Sequence, residues 1–116
     1  MTKPLHSAKV LIMDWDTRQN IRLVRGILAL ETPDEARRFL RDLLTEPEIL
    51  EFAKRLQAAE MLSRKVPYST IEKETGLSST TVARVAKWLN GKEGGYRSIL
   101  KKLHHHNPVQ TRRGLS

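Results

Sequence analysis

Residues 69–89 read STIEKETGLSSTTVARVAKWL, and the spacing within them decides the fold. Gly76 stands where the chain must pass through a left-handed conformation that costs other residues energy. Around it, Ile71, Leu77, Val82 and Val85 fall at the inward positions that pack a second helix against a first at a fixed angle. Ser78 or Ser79 can cap the second helix by accepting a backbone N–H. The pattern is that of a helix-turn-helix. An ordinary αα-hairpin would share the inward residues, but it explains neither the polar outward face nor the charge around it. Glu72 occupies a position where the motif commonly holds a small residue, and a Ser69-x-x-Glu72 capping box would account for it.

With the apolar positions turned inward, Ser79, Thr80, Thr81, Ala83, Arg84 and Lys87 are left to face outward or toward neighbouring elements. Short hydroxyl side chains at the start of a recognition helix allow close approach to a major groove and can exchange hydrogen bonds with base edges. Ser79, Thr80, Thr81 and Ala83 are therefore the expected base-contacting residues. Ser69, Thr70, Lys73, Ser78, Lys87 and Lys92 are the expected contacts to the phosphate backbone.

The charge distribution points the same way. The chain has 116 residues and a net charge of +8, with an isoelectric point near 10.2. Residues 1–63 are balanced between basic and acidic side chains, whereas residues 64–116 carry only Glu72, Glu74 and Glu93 as acids. All the excess positive charge thus lies in the half that holds the motif. Clustered positive charge is what phosphate-backbone binding requires, because neutralising phosphates releases condensed counterions.

Elsewhere the periodicity is helical throughout, with no sustained strand-type alternation. Ile21, Val24, Ile27 and Leu28 recur at helical spacing between about Asp16 and Leu30. Thr32-Pro33-Asp34-Glu35 and Thr45-Glu46-Pro47-Glu48 are helix starts, each with a capping threonine, an early proline and a glutamate three residues on. The first opens a helix expected to bury Ala36, Phe39, Leu40 and Leu43. The second opens one carrying Ile49, Phe52, Ala53, Leu56, Ala59 and Leu62, ended by Val66-Pro67. Trp88 is expected to pack inward. After Gly94-Gly95, the residues Tyr96, Ile99, Leu100 and Leu103 predict a final helix ending near His104. The expected organisation is an N-terminal arm over 1–15, a helical domain over 16–104 and a flexible basic tail over 105–116.

Several function classes are disfavoured. No cysteine is present, so neither a disulfide framework nor a cysteine zinc site is available. No apolar run approaches the roughly 20 residues of a membrane span, and no signal-peptide pattern occurs, so a soluble cytoplasmic protein is expected. His104-His105-His106 cannot converge on one ion along a helix, where adjacent side chains point about 100° apart; no metal site and no cofactor are expected. No nucleophile elbow, phosphate-cradling glycine loop or HExxH motif appears, and the chain is not expected to be an enzyme. With two each of Phe, Tyr and Trp, it is also a poor single-strand stacking surface.

From about Ile27 to Leu100 the sequence resembles the Trp-repressor-like family, especially small bacterial members other than the tryptophan repressor itself. The resemblance rests on Ile27-Leu28-Ala29-Leu30, Phe39 to Leu44, Ala53-Lys54-Arg55-Leu56, Ile71-Glu72-x-Glu74-Thr75-Gly76, Ser79-Thr80-Thr81-Val82-x-Arg84-Val85 and Gly94-Gly95-Tyr96. It implies an all-α homodimer with interlocked N-terminal helices and two helix-turn-helix units reading successive major grooves of double-stranded DNA. It also implies a regulator of transcription, most simply a repressor. The arginines that sandwich the corepressor ring in the tryptophan repressor match Arg55 and Arg84 here, a possible effector pocket. That repressor has glycine directly after the second arginine, where this chain has Val85, whose branched side chain would intrude on a flat ring. Tryptophan is therefore not the expected signal. The rival readings are a protein–protein interaction module within a regulatory complex and a tryptophan-responsive repressor.

Overall fold

Thr17, Thr32 and Thr45 each open a helix through local chemistry that needs no tertiary partner. In the computed structural model, which describes residues 13–112, these helices are α1 (Arg18–Leu28), α2 (Pro33–Leu43) and α3 (Glu46–Ser63). The Thr17 hydroxyl accepts from the Asn20 N–H at 3.1 Å, and the Thr32 hydroxyl from the Glu35 N–H at 3.1 Å. At Thr45 the capping box is reciprocal: its hydroxyl accepts from the Glu48 N–H, and the Glu48 carboxylate accepts from the Thr45 N–H at 2.8 Å. The box at Thr32 closes differently, since Glu35 reaches one residue further back and accepts from the Glu31 N–H at 2.9 Å.

Three further helices follow: α4 (Tyr68–Thr75), α5 (Ser79–Leu89) and α6 (Gly95–Arg112). Among the described residues there is no strand, and the fold is all-α as the periodicity predicts. No helix of the described residues is long and apolar enough to cross a membrane.

The chain divides into two units, 1–43 and 44–116. In the first, the Phe39 ring of α2 reaches Gly26 of α1, where an added Cβ would lie 3.5 Å from the ring tip. Asp34 pairs with both Arg37 and Arg38 on the outer surface of α2. No residue of α1 or α2 is buried. Ala36 and Phe39 are half-buried, while Ile21, Val24, Ile27, Leu28, Leu40 and Leu43 are exposed. The burial expected for the α2 stripe is thus not met by the chain's own residues.

The second unit holds the core. Helix α3 packs against α4, α5 and α6, while α5 packs against α4 and α6. Ala58, Ala59 and Met61 of α3 meet Ile71, Leu77, Val82 and Val85, with Val66, Tyr96 and Leu100 packed on the margin. Only the C-terminal half of the α3 stripe is covered, and Phe52 remains exposed.

Helix α3 ends in a motif that the sequence did not announce. Lys65 adopts φ +65°, its N–H donates to the Leu62 carbonyl, and the Val66 N–H donates to the Met61 carbonyl at 3.1 Å. These are the paired bonds of a Schellman ending, with a lysine in the place usually held by glycine. At the other end of the unit, α6 runs on through Asn107 and Pro108, where the sequence reading ends the helix near His104. Residues 105–112, expected as part of a flexible tail, are helical. The rest of that tail and most of the 1–15 arm lie outside the described residues.

Candidate nucleic-acid interface

The turn between α4 and α5 is built from three side chains and one glycine. Gly76 takes φ +79° and its N–H donates to the Glu72 carbonyl at 2.8 Å, closing α4. Its missing Cβ would meet nothing closer than the Lys54 ammonium at 4.0 Å, so glycine is required here by backbone conformation and not by space. Thr75, just before it, is buried at 5% exposure, and both of its hydroxyl's capacities are used. The hydroxyl donates to the Ile71 carbonyl at 2.7 Å and accepts from the Leu77 N–H at 3.1 Å. Thr75 thus satisfies a buried backbone donor in the turn and ties the first residue after the glycine to α4.

Helix α5 then starts at Ser78, which is the cap; Ser79 is the first helical residue. The Ser78 hydroxyl accepts from the Thr81 N–H at 3.1 Å and donates to the Thr81 hydroxyl oxygen at 3.0 Å. The Ser69-x-x-Glu72 box does not form. Pro67 is the N-cap of α4 and makes no side-chain cap bond, which leaves Ser69 inside the helix. A helix entered two residues earlier than the box requires has no use for it.

The four residues expected to face inward all do so: Ile71 and Val82 are fully buried, Val85 is 2% exposed and Leu77 is 6% exposed. Ser79, Thr80, Ala83, Arg84 and Lys87 are exposed, and Thr81 is half-buried beside its cap. Thr80, Ala83, Arg84 and Lys87, at helical spacing, line one shallow hollow along with Trp88. Ser69, Lys73, Ser78 and Lys92 are at the surface, and Thr70 is half-buried. Trp88 is 52% exposed, contrary to the expected packing. It lies at the edge of the arc marked by Val82, Val85, Ala86 and Leu89, one helical step outside the buried side.

The two arginines of the expected effector pocket have different surroundings. Arg55 is half-buried, pairs with Glu51 at 3.4 Å and lies 5.6 Å from the centroid of the Phe52 ring. Arg84 is exposed on the hollow shared with Thr80 and Lys87, and forms no ion pair among the described residues. The neighbouring Val85 side chain is in the core, where glycine would leave room. Among the described residues, no group of three or more His, Asp or Glu side chains is placed to hold a metal ion.

A glycine-turned pair of helices, with its second helix capped by serine and polar along its outer face, defines a helix-turn-helix protein of all-α architecture. Residues 18–104 match the family model described as Trp repressor protein, and the chain belongs to that family. It is similar to the uncharacterized protein YerC of Bacillus subtilis (strain 168), at 39% identity over 82 residues, covering 71% of this chain and 79% of that protein. The crystal structure of a TrpR-like protein from Eubacterium eligens ATCC 27750 superposes with a TM-score of 0.72 at 35% identity, covering 78% of this chain and 93% of that one.

Proposed function

We propose that the protein is a sequence-specific DNA-binding regulator of transcription, a repressor in its simplest mode, that acts in the cytoplasm as a homodimer. The observation that carries this reading is the outer face of α5, where Thr80, Ala83, Arg84 and Lys87 share one surface directly after a capped, rigid turn. Ser79, Thr80, Thr81 and Ala83 are the residues for base edges; Ser69, Thr70, Lys73, Ser78, Lys87 and Lys92 are those for phosphates. Arg84, exposed and without an acidic partner among the described residues, joins the phosphate set more readily than a pocket for a ring. Membership of the Trp repressor family supports the same reading.

The dimer is supported by the apolar residues that one chain leaves uncovered. Ile27 is 53% exposed, Leu28 77%, Leu50 60% and Phe52 47%. Side chains of this size on α1 and α3 are what an interlocked second copy would bury.

Two substitutions test the docking. Lys87→Ala weakens duplex binding evenly across sequences and lowers the salt slope by about 1, as loss of one phosphate contact requires. Thr81→Ala relaxes preference at one position of the site, at a cost of about 1–3 kcal/mol for the preferred sequence. A sequence-dependent loss in the first, or none in the second, would remove the assignment.

Tryptophan is not the signal in this reading, because Val85 stands where the tryptophan repressor has glycine after its second ring-sandwiching arginine. Calorimetric titration with L-tryptophan gives no saturable heat at micromolar concentration; saturable binding would restore the tryptophan-responsive alternative.

A further inference from the structure

Behind the C-terminal end of α5 lies a hollow of about 370 Å³ that the DNA reading does not use. Its floor includes Leu89, the last residue of α5, and Leu100 of α6. Its rim is cationic: Arg64 at the end of α3, then Arg97, Lys101, His104 and His105 along α6. Glu60 is the one carboxylate lining it, and Arg64 engages it at 3.7 Å. Arg97 is committed to the fold, since one nitrogen donates to the Leu89 carbonyl at 2.6 Å and to the Gly91 carbonyl at 3.0 Å. Lys101, His104 and His105 have no acidic partner among the described residues, and the two imidazole rings lie 6.5 Å apart.

Helical spacing separates this face from the exposed apolar side of α6. Arg97, Lys101 and His104 stand at i, i+4 and i+7, whereas Ile99 and Leu103 lie on another side of α6 and are exposed. The hollow is also distant from the outer face at the start of α5. Ser79 and Leu89 are the two ends of that helix, about 15 Å apart at 1.5 Å per residue.

We propose that this hollow binds a small amphiphilic anion, with its apolar body on Leu89 and Leu100 and its carboxylate or phosphate head among Lys101, His104 and His105. A DNA backbone would use the cations but not the floor. An uncharged apolar molecule would use the floor and leave the cations without a partner. Only a molecule with both parts matches the whole surface. Amphiphile binding is read without DNA, so its outcome does not depend on the DNA reading.

The experiment is a titration of the full chain, followed by amide chemical shifts, with octanoate, octyl phosphate, inorganic phosphate and octanol. Octanoate or octyl phosphate shifts the Ser63, Leu89 and Lys101 amides saturably, and the tighter of the two identifies the head group. Octanol and inorganic phosphate bind at least tenfold more weakly. Lys101→Glu and His105→Glu, both exposed helix positions, each weaken the amphiphile at least tenfold without changing the melting temperature. Equal binding of octanol would reduce the site to an apolar patch, and equal binding of inorganic phosphate to a plain charge cluster. A loss of duplex affinity in Lys101→Glu as large as that in Lys87→Ala would make this face a DNA contact. Each of these three results overturns the proposal.

Discussion

Thr75 shows how much of the turn rests on one small polar side chain. Its hydroxyl bridges the Ile71 carbonyl and the Leu77 N–H inside an otherwise apolar cluster. Thr75→Val keeps the shape but leaves the Leu77 N–H buried and unpaired, so denaturant unfolding should show a loss of about 1–3 kcal/mol. Thr75→Ser, which retains both bonds and gives up only the methyl group, should lose less; a larger loss in Thr75→Ser than in Thr75→Val would show that the methyl group and not the hydroxyl matters. The role of Gly76 was legible because a left-handed turn has a residue signature. That of Thr75 was not, since a threonine before a glycine reads equally well as a solvated helix end. Lys65 was hidden for the opposite reason: its positive φ is imposed by the Schellman bonds and by Val66 packing on the core, with nothing in its own chemistry to announce it.

At the level of the helix, starts written in local chemistry were readable and ends set by tertiary packing were not. The Thr45–Glu48 box formed as its spacing predicts, and it carries a pH signature. The Thr45 N–H and hydroxyl both donate to the Glu48 carboxylate and hold its pKa below the ordinary value. A carboxylate with a depressed folded-state pKa contributes stability that is present above its unfolded pKa and lost as pH falls through the folded one. Glu48→Gln should therefore narrow the stability gap between neutral and acidic pH, read from unfolding curves across the acid range; an unchanged gap would mean the box is idle in solution. Helix α4 went the other way. Pro67 opened it two residues early and left Ser69 inside, so the expected box had no role. Trp88 was misplaced because a position one step off the buried arc is ambiguous in a sequence, and its neighbours on α6 do not close over it. The end of α6 was misplaced because Asn107-Pro108 resembles a stop, yet the helix continues past it.

For the whole molecule, the family and the all-α class were legible because the motif, the two capping boxes and the charge split all agree. The burial of the N-terminal helices was not, since the residues that would cover Ile27, Leu28 and Leu40 are not supplied by the chain's own described residues. The same uncovered faces that limit a reading of one chain are the ones a homodimer needs, and a dimer places two α5 helices about one DNA turn, roughly 34–36 Å, apart. The central claim is tested most directly by selecting bound sequences from a random duplex pool at two salt concentrations. The account predicts an enriched near-palindrome whose half-sites lie about one helical turn apart and which persists at the higher salt. Binding that enriches no sequence and disappears as salt rises would contradict it, leaving a basic surface without a reading helix.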